Sequence, residues 1–516
     1  MRRGLCDFVF ERAEMRPDSP ALSYRDETVS YSDLGARVRG FAAVLSGLGV
    51  ERGDRIGIYL EKRIESVIAI FGSSAAGAAF VPVNPVLKAR QVAHILRDSG
   101  ARVLVTSGDR LRTLDEYLGD LNELQRIILV DGDGEEDPSR VAWPLAHADE
   151  APPVPYMDAD LGAILYTSGS TGLPKGVALT HRNLVAGAES VNAYLPNAED
   201  DVILAILPLS FDAGLSQLTT GLESGAHVVL ANYLLPRDVV RLCARHAVTA
   251  LTCVPPLWIQ LADQDWGSAG ASLRYFANTG GRMPRVTLDR LRGIFADADP
   301  YLMYGLTEAF RSTYLDPAEV DRRPDSIGRA IPNAEILVLR PDGTECDADE
   351  AGELVHRGAL VALGYWNDPE RTAERFRPFD CGRGAWAPTE IAVWSGDVVR
   401  RDHEGFLYFV GRADDMIKTS GYRVSPTEIE EASLATGLVQ DAVALGVEDS
   451  ALGQRILLVV TPRSEGFDMR ALQAALRKEL PSFMIPSHIR VRERIPRGPN
   501  GKYDRVALRD EIQELV

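Results

Sequence analysis

The chain has 516 residues, of which 45% are hydrophobic and 25% charged, as in ordinary globular proteins. At about 150 residues per domain this length gives three or four packed units, and the net charge of -18 argues against a nucleic-acid partner, which needs a positive footprint. No run of about 18 apolar residues occurs, so we expect no membrane span. The charged N-terminus is unlike a signal peptide. The cysteines form no C-x-x-C pair, so we expect a cytoplasmic protein with buried thiols at Cys6, Cys243, Cys253, Cys346 and Cys381.

Helix and strand patterns alternate from the N-terminus to about residue 110. This alternation predicts βαβ units and a parallel sheet. The elements expected in this region are Asp7–Met15, Ala21–Tyr24, Asp33–Leu48 (capped by Ser30 or Ser32), Arg55–Leu60, Ile64–Ala76, Ala79–Val83, Gln91–Arg97 and Arg102–Thr106.

The stretch Tyr166–Gly176 (YTSGSTGLPKG) combines glycines, hydroxyl side chains and a lysine directly after an expected strand, Leu161–Leu165. Glycines let the backbone turn tightly and aim N–H groups at an anion, and Lys175 adds a positive charge. We therefore expect a strand, this phosphate-holding loop, and then a helix from about Thr180. A flexible linker is the alternative, which the rigid pair Pro174–Lys175 argues against. The loop is not the common nucleotide loop, because no hydroxyl follows the lysine.

Further strands are expected downstream, and three of them run into polar or glycine-rich turns. These strands cover residues 202–207, 273–277 and 301–304, and their turns cover 208–212, 278–281 and 305–308. Ligands of open α/β sheets lie outside the carboxyl ends of the strands, so we expect the three turns to share one pocket.

The pattern changes to short strands and glycine turns from Ile327 to Tyr408, as in a small β unit. The stretch Gly411–Asp415 is typical of a connector. Beyond it, helix and strand patterns from Pro426 to Arg494 predict a compact α+β unit.

Five motifs follow one another along the chain, namely Tyr166–Gly176, Tyr304–Glu308, Ser395–Asp397, Gly411–Glu430 and Pro499–Lys502. In this order they resemble the adenylate-forming superfamily of acyl-CoA synthetases, peptide-synthetase adenylation domains and luciferases. The resemblance covers nearly the whole chain. It implies an α/β fold with a large N-terminal domain of layered parallel sheets with helices plus a small β unit, residues 1–413. A small mobile α+β C-terminal domain, residues 414–516, follows.

The resemblance implies an AMP-forming acid–thiol ligase that uses ATP and Mg²⁺. Tyr304 would stack near the adenine, Gly280 and Gly281 would form its floor, and Asp397 would accept the ribose hydroxyls. The ATP-binding residues implied are Thr167, Ser168, Gly169, Ser170, Thr171, Gly172, Lys175, Gly280, Gly281, Tyr304, Asp397 and Arg412.

Three residues are implied in catalysis. Thr307 would contact the α-phosphate, Glu308 would bind Mg²⁺, and Lys502 matches the catalytic lysine of the small domain. Taken alone, Lys502 is more typical of a solvated surface lysine, and Glu308 of an acid at a helix start. Their occurrence together and in order favours the catalytic interpretation.

A second half-reaction is implied, in which a phosphopantetheine thiol attacks the acyl-adenylate. The small domain would swing about the hinge Asp414, and Lys418 and Gly421 would line the thiol tunnel. One departure from the family pattern is Ser395, where most relatives carry threonine. The hydroxyl is kept, so the motif is retained.

The acid-binding segment contains Asp212 directly after a phenylalanine. Amino-acid-activating relatives use an aspartate here to pair with the substrate ammonium, and an unpaired buried carboxylate would be costly. Capping of the following helix is the alternative. Small residues beside it would leave room for an aliphatic tail, and Arg311 would reach a second carboxylate or form a structural ion pair. The substrate-binding residues proposed are Phe211, Asp212, Ala213, Gly214, Asn278, Gly280 and Arg311.

The wider sequence around these residues resembles stand-alone enzymes that activate β-amino acids for macrolactam polyketides, and also exosortase-associated acyl-CoA ligases. We therefore expect adenylation of a β-amino acid and transfer to an acyl carrier protein, a function of secondary metabolism. An acyl-CoA synthetase for a fatty or aryl acid is the alternative, and a non-catalytic nucleotide-binding protein is a third. Seven basic and two acidic residues between His488 and Arg509 give a net charge of +5, which would attract an acidic carrier protein or simply form a solvated face.

Overall fold

A computed structural model of the chain describes residues 2–132, 139–143, 155–167, 174–281, 283, 285–380, 382, 384, 386, 389–412, 417–424, 426–496, 503, 505, 508–509 and 511.

Strands and helices alternate through the first part of the chain, as the sequence predicts. The second helix begins at Tyr31, two residues earlier than expected, because the Ser30 hydroxyl accepts a hydrogen bond from the Asp33 amide at 3.1 Å. The elements are α1 (Cys6–Met15), β1 (Pro20–Tyr24), β2 (Glu27–Ser30), α2 (Tyr31–Gly47), β3 (Arg55–Tyr59), α3 (Ile64–Ala75), β4 (Ala79–Pro82), α4 (Ala89–Ser99), β5 (Ala101–Thr106), α5 (Gly108–Arg112), β6 (Arg126–Leu129), β7 (Arg140–Ala142), β8 (Leu161–Thr167) and β9 (Lys175–Thr180).

The alternation continues to residue 315. The strands β10, β12 and β13 are short, mostly apolar and almost entirely buried, which is typical of parallel strands covered on both faces. The elements are α6 (His181–Asn192), β10 (Val202–Ala205), α7 (Asp212–Ser224), β11 (His227–Leu230), α8 (Pro236–His246), β12 (Ala250–Cys253), α9 (Pro255–Ala262), β13 (Tyr275–Asn278), α10 (Arg285–Ile294), β14 (Asp299–Tyr304) and β15 (Thr313–Leu315).

Two units with mainly antiparallel strands complete the chain. The first confirms the predicted small β unit and contains β16 (Ser326–Ala330), β17 (Ala334–Leu339), β18 (Ala351–Gly358), β19 (Gly364–Tyr365), α11 (Pro369–Arg375), β20 (Phe376–Phe379), β21 (Glu390–Arg401) and β22 (Leu407–Arg412). The second confirms the predicted α+β unit and contains β23 (Ile417–Thr419), β24 (Tyr422–Val424), α12 (Pro426–Ala435), β25 (Val439–Asp449), β26 (Gly453–Pro462), α13 (Met469–Glu479) and β27 (His488–Val491).

Three sheets organise these elements. The first joins the small β unit to a parallel section in the order β14-β13-β12-β10-β11-β1. The second has the order β19-β9-β8-β4-β3-β5-β6-β7 and is also mainly parallel. The third belongs to the C-terminal unit. The α/β fold expected from the sequence is thus confirmed.

Helices α2, α3, α6 and α7 lie between the two large sheets. Their buried side chains form one apolar cluster with residues of both sheets. A second cluster packs α8, α9 and α10 on the other face of the first sheet, and a third packs α4 on the other face of the second sheet. This layering holds the strand ends rigidly. None of the described helices is long and apolar enough to cross a membrane.

The segment around the phosphate loop differs from the expected strand–loop–helix arrangement. β8 and β9 are antiparallel, with Thr167 opposite Lys175, so the loop joins two strands of a hairpin. The helix begins only at His181, after Thr180 has capped it. The residues Lys175–Thr180 form a strand because their backbone pairs with β8 along its length. Lys175 is therefore held by a sheet.

Candidate active site

Four parallel strands, β10, β12, β13 and β14, end at one edge of the first sheet. The turns that follow them line a cavity of about 1770 Å³, as the sequence predicts. The C-terminal unit also lines this cavity, through residues on either side of Tyr422. Several buried side-chain atoms around it have no hydrogen-bond partner among the described residues: Thr167 Oγ1, Ser210 Oγ, Asn278 Oδ1 and Arg311 Nε. Such a concentration of buried polar atoms without hydrogen-bond partners is typical of a ligand site.

The turn after β13 brings backbone close to the cavity. Gly280 has a φ of +75°, which favours glycine, and a Cβ there would lie 3.3 Å from Val254. Asn278 braces the turn by donating its side-chain amide to the Gly281 carbonyl at 2.8 Å. The turn therefore forms a smooth wall at which a flat ligand can approach the backbone.

Tyr304 and Asp397 meet in the lining of the cavity, although 93 residues separate them. The Tyr304 hydroxyl donates to Asp397 Oδ2 at 2.5 Å, and the carboxylate is buried. Ser395 fixes the turn, because its hydroxyl accepts from the Asp397 amide at 3.0 Å and donates to the Leu354 carbonyl at 2.7 Å. The serine hydroxyl thus holds the turn through both of these contacts.

Lys175, Glu308 and Tyr365 form a second polar group. The Tyr365 hydroxyl donates to Glu308 Oε1 at 2.7 Å and accepts from Lys175 Nζ at 2.8 Å, while the lysine lies 3.4 Å from the same carboxylate oxygen. The ammonium also lies 4.0 Å from the centre of the Tyr365 ring. The cation and carboxylate predicted from two distant motifs are therefore brought together.

Tyr365 is a site residue that the sequence did not predict. It lies on β19, whose pairing with β9 sets Tyr365 opposite Val177. No spacing in the sequence links position 365 to position 175. Only this strand pairing does so, and a two-residue strand leaves no periodic signal.

Glu308 lies on a tight turn that begins at Thr307 and ends in a strained residue. Phe310 has a φ of +56°, which is uncommon for a side chain with a Cβ. Its ring is fully buried against Gly187, where a Cβ would come within 2.6 Å of the ring. Packing therefore stabilises the turn that directs Glu308 towards Lys175.

Asp212 is the first residue of α7 and lines the cavity, as predicted. Phe211 is the N-cap and its side chain makes no capping hydrogen bond. Burial raises the pKa of Asp212, opposed by the charge of Arg311 and by backbone N–H groups of the first helical turn. The backbone N–H contacts of Asp212 resemble helix capping, so capping and amine binding do not exclude each other at this residue.

Family models match most of the chain. Residues 9–366 match the model described as AMP-binding enzyme, and residues 428–502 match that of the AMP-binding enzyme C-terminal domain.

The chain belongs to the AMP-binding enzyme family.

Relatives of this AMP-binding enzyme support the assignment along its length. It is 30% identical to the long-chain-fatty-acid–CoA ligase of Escherichia coli O157:H7, over 98% of this chain and 94% of that protein. It is 30% identical to gramicidin S synthase 2 of Aneurinibacillus migulanus, over 96% of this chain and 11% of that protein. A solved double mutant of o-succinylbenzoate CoA synthetase from Bacillus subtilis has a TM-score of 0.83 and 27% identity, covering 99% of this chain and 98% of that chain. The chain is accordingly an AMP-forming acid–thiol ligase.

The C-terminal unit of the AMP-binding enzyme meets the cavity at Gly421 and Tyr422. Gly421 has a φ of +79°, and a Cβ there would lie 2.8 Å from Val254. The Tyr422 ring packs edge-on against Phe211 at 5.1 Å and stacks on Phe483 at 3.7 Å. Lys418 also lines the cavity, with its ammonium 4.3 Å from the Phe409 ring centre. The predicted thiol-tunnel segment therefore lies beside the acid-binding segment.

Two of the predicted acid-binding residues do not line the cavity. Arg311 is buried and does not line the cavity, because its guanidinium donates to the Thr279 hydroxyl behind the wall. Gly214 does not provide space in the cavity either. A Cβ there would lie 2.0 Å from the Pro208 carbonyl oxygen, so the glycine allows close packing of α7 on the preceding turn. Ala213 does line the cavity, as expected.

Several predicted site residues fall outside the described parts of the chain: Ser168, Gly169, Ser170, Thr171, Gly172, Asp414 and Lys502. The boundary at residues 413/414 stays a prediction for the same reason. Arg412 lies on β22 with its backbone opposite Asp397, and its side chain is not described.

Lys62 is a cavity residue that the sequence did not single out. It follows β3, and it is 7% exposed. Its ammonium donates to the carbonyls of Ile206 at 2.6 Å and Leu207 at 3.2 Å. Burial lowers its pKa to about 7. In the sequence Lys62 is one lysine in the connection between β3 and α3, and nothing in the local pattern distinguishes it from a surface lysine.

Proposed function

We propose that this enzyme adenylates a β-amino acid with ATP and transfers the aminoacyl group to the phosphopantetheine thiol of an acyl carrier protein. The observation that carries the substrate class is Asp212, a carboxylate inside the cavity whose pKa is raised mainly by burial. A substrate ammonium beside it would restore the interaction that water would otherwise provide. We place this reaction in the cytoplasm, and the free, buried thiols of Cys6, Cys243, Cys253 and Cys346 agree with a reducing compartment.

ATP fits the part of the cavity that Tyr304 and Asp397 line. The Asp397 carboxylate and the Tyr304 ring form a surface for ribose and base, and the turn at Gly280 and Gly281 leaves room for a flat ring. Thr167 begins the phosphate loop, and its buried hydroxyl lacks a partner among the described residues. These residues would bind and orient ATP with its α-phosphate towards Thr307.

Mg²⁺ fits a site with one carboxylate. No group of three or more metal-ligating side chains occurs in the part of the chain that the structure describes. Mg²⁺ typically takes one or two carboxylates and completes its shell with phosphate oxygens and water, so Glu308 is a suitable ligand. When bound, the ion would neutralise charge on the phosphates. Lys175 and Tyr365 would hold the Glu308 carboxylate in one orientation.

In the first step a carboxylate oxygen of the acid forms a bond to the α-phosphorus, and the bond from that phosphorus to the bridging oxygen of pyrophosphate breaks. Negative charge accumulates on the oxygens around phosphorus, so preorganised cations stabilise the transition state. Lys175 is one such cation, at the pyrophosphate side, and Lys502 is proposed as the other. Thr307 would donate to an α-phosphate oxygen.

In the second step the thiol sulfur forms a bond to the acyl carbon, the carbon–oxygen bond to AMP breaks, and the thiol proton is released. Gly421 lets the tunnel segment approach Val254 and Gly280 closely, since a Cβ would collide with the valine. Lys418 flanks the same passage. A narrow passage of this kind suits an extended pantetheine arm, and Asp414 is proposed as the hinge that brings the C-terminal unit into position.

The substrate proposal is tested with Asp212→Asn. We expect it to lower kcat/KM for a β-amino acid about 100-fold in pyrophosphate exchange, and to change that of the des-amino acid less than about threefold. Asp297→Asn, at an exposed aspartate, is the matched control. Equal losses for both acids would show that Asp212 does not bind the amine.

A second candidate is an acyl-CoA synthetase for an acid without an amine. It is favoured by the contacts that Asp212 already has, namely attraction to Arg311 and backbone N–H groups, which leave an amine dispensable. The 30% identity to a long-chain-fatty-acid–CoA ligase over 98% of the chain also supports it. Faster exchange with the des-amino acid, together with efficient thioester formation on free CoA, would decide for this candidate.

The carrier-protein acceptor is supported by the basic C-terminal segment only in part. Arg505 pairs with Glu430 at 2.7 Å and Arg492 with Glu511 at 2.5 Å, so two of its cations have internal partners. Exposed Arg494 is the residue chosen to test contact with an acidic surface. Arg494→Glu should raise KM for a carrier protein, while KM for free CoA should stay unchanged. Equal effects on both acceptors would contradict carrier recognition at this face.

A further inference from the structure

Lys62 is held at a fixed place in the cavity wall. Its backbone N–H donates to Asn232 Oδ1 at 3.3 Å, and the Asn232 amide donates to the Lys62 carbonyl at 2.7 Å. Its ammonium donates to two main-chain carbonyls at the end of β10. The backbone of Lys62 is therefore held by the segment that follows β11, and its ammonium by the segment that follows β10.

The two carbonyls do not provide a counter-charge for this ammonium. No carboxylate of the described residues lies within 4.0 Å of Lys62 Nζ. An ammonium has three donors, and two are used by Ile206 and Leu207. A buried cation without an anion is costly, so such a group is seldom kept only for packing. The remaining donor belongs to a side chain that lines the cavity.

The position of this donor relates it to the acid substrate. Ile206 and Leu207 belong to the segment that runs directly into Phe211 and Asp212. The Leu207 carbonyl oxygen would lie 2.8 Å from a Cβ on Gly214, so it lies against the first turn of α7. The Lys62 ammonium thus binds the carbonyl segment that packs against the first turn of α7, the turn that carries Asp212.

We propose that Lys62 is a specificity-determining residue of the acid site, and that its ammonium binds a second, distal carboxylate of a dicarboxylic acid substrate. This inference rests on the proposed adenylation function and narrows its substrate class. The role that the sequence suggested for Arg311 falls to Lys62, because Arg311 is buried and bonded to Thr279 whereas Lys62 lines the cavity. A carboxylate there would form a charge-assisted hydrogen bond and favour the protonated lysine. With Asp212 binding the amine, the preferred acid is an amino dicarboxylic acid.

The inference is tested by pyrophosphate exchange with matched acids. Dicarboxylic acids from malonate to suberate are compared with their monoamides, and 3-aminoglutarate is compared with 3-aminopentanoate, so that the distal charge is the main difference. We expect the wild-type enzyme to prefer at least one diacid over its neutral partner about 100-fold in kcat/KM. Lys62→Met should abolish that preference and leave kcat/KM for the neutral partner within about threefold. Lys478→Met, at an exposed lysine of α13, is the control.

The outcomes separate this inference from the proposed function. Wild-type exchange with monocarboxylic acids but no preference for any diacid would overturn the role of Lys62 and leave adenylation standing. If Lys62→Met lowers kcat/KM equally for a diacid and for its neutral partner, the lysine serves only to hold the end of β10, and the inference is overturned. Exchange with no acid at all would overturn the proposed function itself. If Lys62→Met does not fold, the wild-type preference decides alone.

Discussion

Two parts of the cavity lining, which we name the nucleotide end and the acid end after the ligands proposed for them, satisfy their charges differently. At the nucleotide end, polar groups from distant parts of the chain bind one another, as Tyr304 does with Asp397 and Lys175 with Tyr365 and Glu308. At the acid end, Asp212 and Lys62 have no oppositely charged side chain within 4.0 Å among the described residues. An enzyme that always binds ATP can preassemble that end. The acid end would leave its charges to be matched by the proposed substrate.

The largest effect is expected at the nucleotide end, from Lys502→Ala. If this lysine stabilises charge at the α-phosphate, pyrophosphate exchange should fall about 100- to 1,000-fold. Thioester formation from a supplied acyl-adenylate should remain near the wild-type rate, because that step no longer involves the phosphorus centre. Single-turnover measurements of adenylation and of thioester formation show how much each step is slowed.

Lys478→Ala, at an exposed position, is the control for Lys502→Ala. Equal loss of the two half-reactions would contradict the assignment of Lys502 to adenylation alone, and with it the proposed swing of the C-terminal unit.

A smaller effect is expected from Tyr365→Phe, which breaks the preassembled group without removing a charge. The change deletes the hydroxyl that bridges Lys175 and Glu308. Hydrogen bonds to charged groups contribute about 1.5–3 kcal/mol, so exchange should fall about 10- to 100-fold for every acid alike. Steady-state exchange with two different acids measures both the size and the uniformity of the loss.

Tyr275→Phe is the matched control. The Tyr275 hydroxyl is buried and donates to Asn197 Oδ1 at 2.8 Å, and Tyr275 does not line the cavity. A loss confined to one acid would place Tyr365 at the acid end and contradict the difference between the two ends of the cavity.

The same contrast explains what the sequence could predict. The nucleotide end is carried by motifs with fixed local spacing, so Lys175, Glu308 and Asp397 are found by their order, and the alternating sheet is found by periodicity. Tyr365 and Lys62 were missed because strand pairing and a strand-end contact, each between distant segments, bring them to the cavity.

Orientation was the other property that the sequence did not contain. Arg311 and Gly214 lie within predicted site segments, yet the directions they face depend on how a turn packs against Thr279 and Pro208. A residue two or three positions from a motif can face either the cavity or the core. Local pattern alone does not distinguish the two cases.

Another effect is expected at the acid end, in the pH dependence of stability. Burial lowers the pKa of Lys62 from its ordinary 10.5 to about 7. Between these values the unfolded chain binds a proton that the folded chain does not, so the wild-type protein should gain about 1.4 kcal/mol per pH unit relative to Lys62→Met. Below pH 7 both states are protonated and the difference should be flat. Urea unfolding of both proteins at about pH 6, 7.5 and 9 measures this. A difference that stays constant across the series would mean that Lys62 keeps its charge when buried, and the acid end would then resemble the nucleotide end in satisfying its own cations.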